Sequence, residues 1–81
     1  MNMVDEREFL DFVSRLLRVP AERLSLDTAY GELPEWDSVM HLRLAMETEN
    51  AFGVSFSLEE IPSLKTLGAF FSKLGGERKG A

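Results

Sequence analysis

Three prolines, Pro20, Pro34 and Pro62, divide this 81-residue chain where its apolar periodicity starts or stops. Proline lacks the amide that an interior helical turn needs and pushes the preceding residue towards an extended conformation. Ahead of Pro20, residues Phe9, Phe12, Val13, Leu16 and Leu17 recur at three- and four-residue intervals and predict a helix over 5–18. Asp5 with Glu8 three residues on resembles a capping box for its start. From 19 to 36 no period is sustained, although Pro20 favours one helical turn at Ala21-Glu22-Arg23. Leu24, Leu26, Tyr30, Leu33 and Trp36 recur closely enough to pin this long connection to a core, with Gly31 and Pro34 as its punctuation.

A second helix is expected from Ser38 to about Phe52, with Val39, Leu42, Ala45 and Met46 as its main stripe. Met40, Leu44 and Phe52 lie off that stripe, so this helix is expected to be central and contacted from several sides. Gly53 suits the left-handed position that ends it, with Val54 beside it. Ser57-Leu58-Glu59-Glu60 has capping-box spacing for a short third helix, which Pro62 limits to about one turn. A fourth helix follows, capped by Ser63 or Thr66, with Leu67, Phe70, Phe71 and Leu74 apolar. No strand or internal repeat is evident. The prediction is one all-α domain over 1–75 and a mobile tail over 76–81.

A chain of 81 residues supports one core, which buries only roughly 60% of the surface exposed on unfolding. Nine basic against 14 acidic side chains leave a net charge of -5, which argues against nucleic-acid binding and suits partners with basic patches. With no cysteine there is no disulfide, thiolate metal site or thiol nucleophile. No apolar run approaches membrane-spanning length, and Asp5-Glu6-Arg7-Glu8 is unlike a signal peptide, so a cytoplasmic monomer away from membranes is expected.

The junction Trp36-Asp37-Ser38 holds the chemistry. Asp37 is a good N-cap, which puts the Ser38 hydroxyl at the positive end of the second helix. A phosphate ester on that hydroxyl would be stabilised by backbone amides and dipole together. The plain alternative is a cap and nothing more. His41 shares a helix face with Ser38, but a hydrolase would also need an orienting carboxylate and an oxyanion hole that so small a chain does not promise. Glu59 and Glu60 are adjacent, so they diverge on a helix and make a poor metal pair. Trp36 serves either as a partner hot spot or as an anchor of the loop against the second helix.

The layout resembles the acyl and peptidyl carrier protein family from about Glu8 to Leu74. Asp37-Ser38-Val39 is similar to the family's Asp-Ser-Leu attachment motif, and Trp36-Asp37-Ser38 to a subset of discrete carriers. Glu49-Asn50-Ala51-Phe52-Gly53-Val54 looks like the family's end of helix two, and Leu64-Lys65-Thr66-Leu67 like its entry into the last helix. The resemblance implies an acyl-carrier-like four-helix bundle, with three longer helices, one short one and a long first loop. It also implies 4'-phosphopantetheine on Ser38, with Asp37 beside it, transferred from coenzyme A by a magnesium-dependent phosphopantetheinyl transferase. Acyl or aminoacyl groups would then pass as thioesters between a loading enzyme and a downstream synthase or transferase, the carrier catalysing nothing.

Val39, Leu42, Met46, Leu64 and Phe71 are candidates either to line an acyl pocket between helices or simply to form the core. Trp36, Met40, His41, Arg43 and Glu47 are candidates for the partner surface. Val39 in place of leucine reduces volume at a position expected to pack inward. His41 and Arg43 stand where carriers of primary fatty-acid synthesis have acids, and Glu47 and Thr48 where many members have small or apolar residues. These departures point to a specialised fatty-acid, polyketide or peptide-like pathway. An unmodified helical interaction module is the reading from a different class.

Overall fold

The computed structural model describes residues 5–75; the expected tail over 76–81 lies outside them. Helix α1 (Glu6–Leu17) starts at Asp5, whose side chain makes no cap hydrogen bond, so the expected Asp5–Glu8 capping box does not form. The Asp5 carbonyl instead accepts from the Phe9 amide at 3.0 Å. At the other end Arg18 is left-handed (φ 61°), unusual for a residue with a Cβ. Its amide and that of Val19 both donate to the Ser14 carbonyl, and Ser14 Oγ donates back to the Val19 carbonyl at 2.6 Å. Ser14 thus closes the helix before Pro20 turns the chain away. The expected turn after Pro20 is a 3-10 turn, Ala21–Arg23.

Helix α2 (Ser38–Phe52) has the expected ends, with Asp37 as N-cap and left-handed Gly53 (φ 71°) closing it. Its orientation differs from the expected one. The buried face is Leu44, Ala45 and Thr48, flanked by half-buried Met40, His41 and Phe52, while Val39, Leu42 and Met46 are 76%, 48% and 55% exposed. The series 41, 44, 45, 48, 52 has helical spacing too, but His41 and Thr48 disguise it as polar. The helix is therefore buried on one side and open on the other.

Thr48 is fully buried, and its Oγ1 has no hydrogen-bond partner. An unsatisfied buried hydroxyl costs about 1–3 kcal/mol, so Thr48→Val, of nearly equal shape, is expected to stabilise the fold by roughly that amount. Urea denaturation measures it; unchanged or lower stability would mean the hydroxyl is satisfied in solution.

The expected short third helix is present as a 3-10 turn rather than an α-turn. Ser57 and Glu60 do make both capping-box bonds, at 2.8 and 3.2 Å, but these enclose a turn that continues only as the 3-10 segment Ile61–Ser63. Pro62 supplies no amide, and the segment is too short to offset the cost of helix nucleation. Helix α3 (Leu67–Lys73) follows, with Thr66, of the two expected caps, accepting from the Ala69 amide at 3.1 Å.

Seven residues make a weak helix alone. The first loop supports it: the Leu67 and Gly68 amides donate to the Thr28 and Leu26 carbonyls at 3.0 and 2.8 Å, and Tyr30 donates to the Lys65 carbonyl at 2.7 Å. Two otherwise orphaned amides of the first turn are thereby satisfied. An isolated bridge pairs Ala29 with Thr66 but extends into no strand. The core joins Phe9, Val13 and Leu17 of α1, Leu44 and Ala45 of α2, and Leu67, Phe70 and Phe71 of α3, with Leu24, Leu26, Leu33 and Trp36 from the loop. Among the described residues the fold is all-α, with three α-helices and two 3-10 turns. Among the described residues no helix is long and apolar enough to cross a membrane.

Candidate functional site

Asp37 is extended, and its Oδ1 accepts from the Met40 amide at 2.9 Å while its carbonyl accepts from the His41 amide at 2.8 Å. Ser38, the first residue of α2, is exposed. The cap is thus occupied by Asp37, and the serine side chain is not needed for it. Asp37→Ala is expected to lower stability by about 0.5–2 kcal/mol through the lost cap, measurable as a fall in urea midpoint. An unchanged midpoint would mean that water replaces the carboxylate without cost.

Beneath the serine lies a ring cluster. The Trp36 indole N–H donates to His41 Nδ1 at 3.0 Å, and His41 Nε2 lies 2.9 Å from the Ile61 carbonyl. Indole only donates and a carbonyl only accepts, so Nδ1 is bare and Nε2 carries the proton. His41 stacks on Trp36 at 5.8 Å and meets Tyr30 at 5.0 Å and Phe70 at 5.6 Å. Both ring nitrogens are engaged away from Ser38, so this histidine has no nitrogen free to activate the serine hydroxyl as a hydrolase base would.

The partner of His41 across the site is itself held in place. Glu60 Oε1 pairs with Lys73 Nζ at 2.7 Å, and Glu60 Oε2 accepts from the Ser57 amide at 2.8 Å. The Lys73 hydrogen bond, and then the Ser57 amide, hold the Glu60 carboxyl below the usual carboxylate range. The turn carrying Ile61 is so tied to α3, and through Ile61 to His41 on α2.

The expected site residues fall into three places. Trp36 is 1% exposed and anchors the loop, so it is a core residue and presents no surface to a partner. His41 and Met40 are half-buried, the first in the ring cluster and the second against the core; Arg43 is exposed and Glu47 half-buried. The five pocket candidates divide. Leu64 and Phe71 are buried in the core, whereas Val39, Leu42 and Met46 sit on the open side of α2, so the five do not enclose one space between helices. Val39, expected to pack inward, points to solvent because the buried face of α2 is the one carrying Leu44 and Thr48.

The space beside Ser38 is instead a surface groove of about 730 Å³, walled by Tyr30, His41, Leu42, Ile61 and Pro62. Tyr30, Ile61 and Pro62 carry no motif that marks them as site residues; tertiary contacts bring them together, His41 of α2 meeting the Tyr30 ring and the Ile61 carbonyl while the Tyr30 amide donates to the Lys65 carbonyl. An exposed hydroxyl at a helix start, with open space next to it, is a fitting attachment point for a phosphodiester-linked arm.

Among curated proteins no relative matches the chain. A family model described as a phosphopantetheine attachment site matches residues 7–71, which include all of α2 and reach from the first turn of α1 into α3. The chain therefore belongs to the phosphopantetheine-attachment family, and it is a carrier protein of the kind that bears covalent 4'-phosphopantetheine.

Proposed function

We propose that Ser38 is the residue that bears the arm, and that the protein carries acyl or aminoacyl intermediates in a specialised biosynthetic pathway. The observation that supports this most is the exposed Ser38 hydroxyl at the start of α2, beside a cap already completed by Asp37. Attachment forms a bond from Ser38 Oγ to the phosphorus of coenzyme A's phosphopantetheine half and breaks that phosphorus's bond to the bridging oxygen of the pyrophosphate; the nucleotide half leaves with the bridging oxygen, and the hydroxyl proton is released to solvent. When bound, the group supplies a terminal thiol that holds cargo as a thioester. The chain's own part is to present the hydroxyl and to offer partners a surface.

That surface is the open side of α2. Val39, Leu42 and Met46 form an exposed apolar stripe, with Arg43 beside it, and Leu58 is exposed in the following connection. The expected contribution of Trp36, Met40 and His41 passes to these residues. A phosphopantetheinyl transferase, a loading enzyme and a downstream synthase or transferase are its partners. A cation in an apolar stripe is poorly matched to enzymes that read acidic carriers through basic patches, which favours the specialised pathway. Equal use of the holo-protein and the usual carrier by an ordinary fatty-acid ketosynthase would count against that part.

The test of attachment is intact mass after incubation with coenzyme A, magnesium and a broad-specificity phosphopantetheinyl transferase. The wild type is expected to gain one phosphopantetheine group and Ser38→Ala none. No gain by the wild type with several transferases, or equal gain by Ser38→Ala, would overturn the assignment to Ser38.

A further inference from the structure

Resting on the reading of the open side of α2 as the partner surface, we infer that Met46 is a reversible modification site, whose oxidation to the sulfoxide by a hydroperoxide weakens partner binding. The chain has four methionines and no cysteine, so in the apo protein the thioethers are the side-chain sulfurs open to two-electron oxidation. Met40 and Met46 are the two among the described residues. Met46 is 55% exposed, whereas Met40 is half-buried and packed against the core. The buried core itself contains no methionine. A peroxide therefore meets Met46 before Met40, and the product adds a polar atom to the surface without disturbing the packed interior.

The step transfers one oxygen atom. A lone pair on Met46 Sδ attacks the outer oxygen of the hydroperoxide and the O–O bond breaks. The other oxygen takes the proton and leaves as water or an alcohol. Sulfur is oxidised by two electrons and the peroxide is reduced by two. A methionine sulfoxide reductase reverses the change, the oxygen leaving as water while a dithiol becomes a disulfide. The place of Met46 on α2 sets the consequence. Leu42 and Val39 precede it by four and seven residues, so all three share one helix face. A sulfoxide on that face is a strong acceptor that an apolar partner groove would bury unpaired, which lowers affinity by about tenfold. Ser38 lies about 12 Å away along the helix axis, at 1.5 Å per residue, so its hydroxyl and its cap are untouched. Oxidation is thus expected to raise KM for the carrier and to leave kcat unchanged.

The experiment treats the apo protein with hydrogen peroxide, removes the peroxide, and measures transferase kinetics with coenzyme A and magnesium. Peptide mass mapping is expected to find oxygen on Met46 before Met40. KM for the oxidised wild type is expected to rise about tenfold, with kcat and the urea midpoint unchanged, and to return after treatment with methionine sulfoxide reductases. In Met46→Leu the same peroxide is expected to leave KM where it was before treatment. Met46→Gln, of similar length and polar, is expected to raise KM with no peroxide at all. Oxidation of Met40 ahead of Met46, an unchanged KM once Met46 is oxidised, or an equal rise in treated Met46→Leu would each overturn the inference. A fall in urea midpoint alongside the loss would make the effect one of unfolding and overturn it as well. A missing mass gain in the untreated wild type removes the attachment reading itself, whereas a mass gain that peroxide does not alter removes only this inference.

Discussion

Trp36→Ala is expected to destabilise the domain by about 3–5 kcal/mol, the usual cost of truncating a fully buried large aromatic side chain. Trp36 is 1% exposed and is among the largest of the fully buried side chains. Its ring meets Tyr30 at 5.8 Å, His41 at 5.8 Å and Phe70 at 6.4 Å, so the truncation opens a cavity where loop, α2 and α3 converge. Circular dichroism in urea measures the loss without relying on the removed fluorophore. Trp36→Phe separates volume from hydrogen bonding, because it keeps a ring but removes the indole N–H and leaves His41 Nδ1 without its donor. Its expected cost is about 1–3 kcal/mol, close to that of an unsatisfied buried polar group. A Trp36→Ala loss below 1 kcal/mol would mean that the loop is not anchored as described, and that Trp36 is available to partners after all.

Gly68→Ala is expected to destabilise the domain by roughly 2–4 kcal/mol. In an exposed helix the same change stabilises by up to about 1 kcal/mol, because alanine loses less backbone entropy. Here the added Cβ would lie 2.9 Å from the Leu26 carbonyl oxygen and 3.4 Å from Leu26 Cβ. The close atom is backbone, so no side-chain rotation relieves it. The Leu26 carbonyl is also the acceptor of the Gly68 amide at 2.8 Å, so moving it away sacrifices the bond that joins the loop to α3. Overpacking and a lost hydrogen bond together outweigh the gain in helix propensity. Thermal or urea unfolding decides the sign. A stabilised Gly68→Ala would show that the loop yields easily, and that the clasp between 26–30 and 65–68 contributes little.

Leu42→Ala would cost roughly 2–5 kcal/mol at a buried position, but with Leu42 48% exposed only part of that applies. Leu42 is therefore a suitable site for functional variants, whereas Leu44, fully buried on the opposite side of α2, is not.

The ends of α2 were legible in the chain because they depend on local chemistry. Asp37 caps the start with its own carboxylate, and Gly53 closes the end with a conformation that costs glycine little. The attachment candidate was legible for the same reason: Ser38 follows from the cap one residue before it. The stop before Pro20 and the turn after it were also local. The capping box at Ser57–Glu60 forms its hydrogen bonds, and the short helix expected after it is a 3-10 turn, because too few residues remain there to propagate an α-helix.

What the amino-acid sequence determined by itself was the class of fold, the boundaries of α1 and α2, and the exposed serine that opens α2. The tertiary structure alone decided which side of α2 faces inward. Two stripes of equal helical spacing compete on that helix, and the more apolar one, through Val39, Leu42 and Met46, is the one left in solvent. The other is chosen because its histidine finds partners in Trp36 and Ile61, and its leucine and alanine fit against α1, α3 and the loop. Hydrophobic periodicity registers how apolar each face is, but not whether a polar residue on it will be satisfied by a segment twenty positions away.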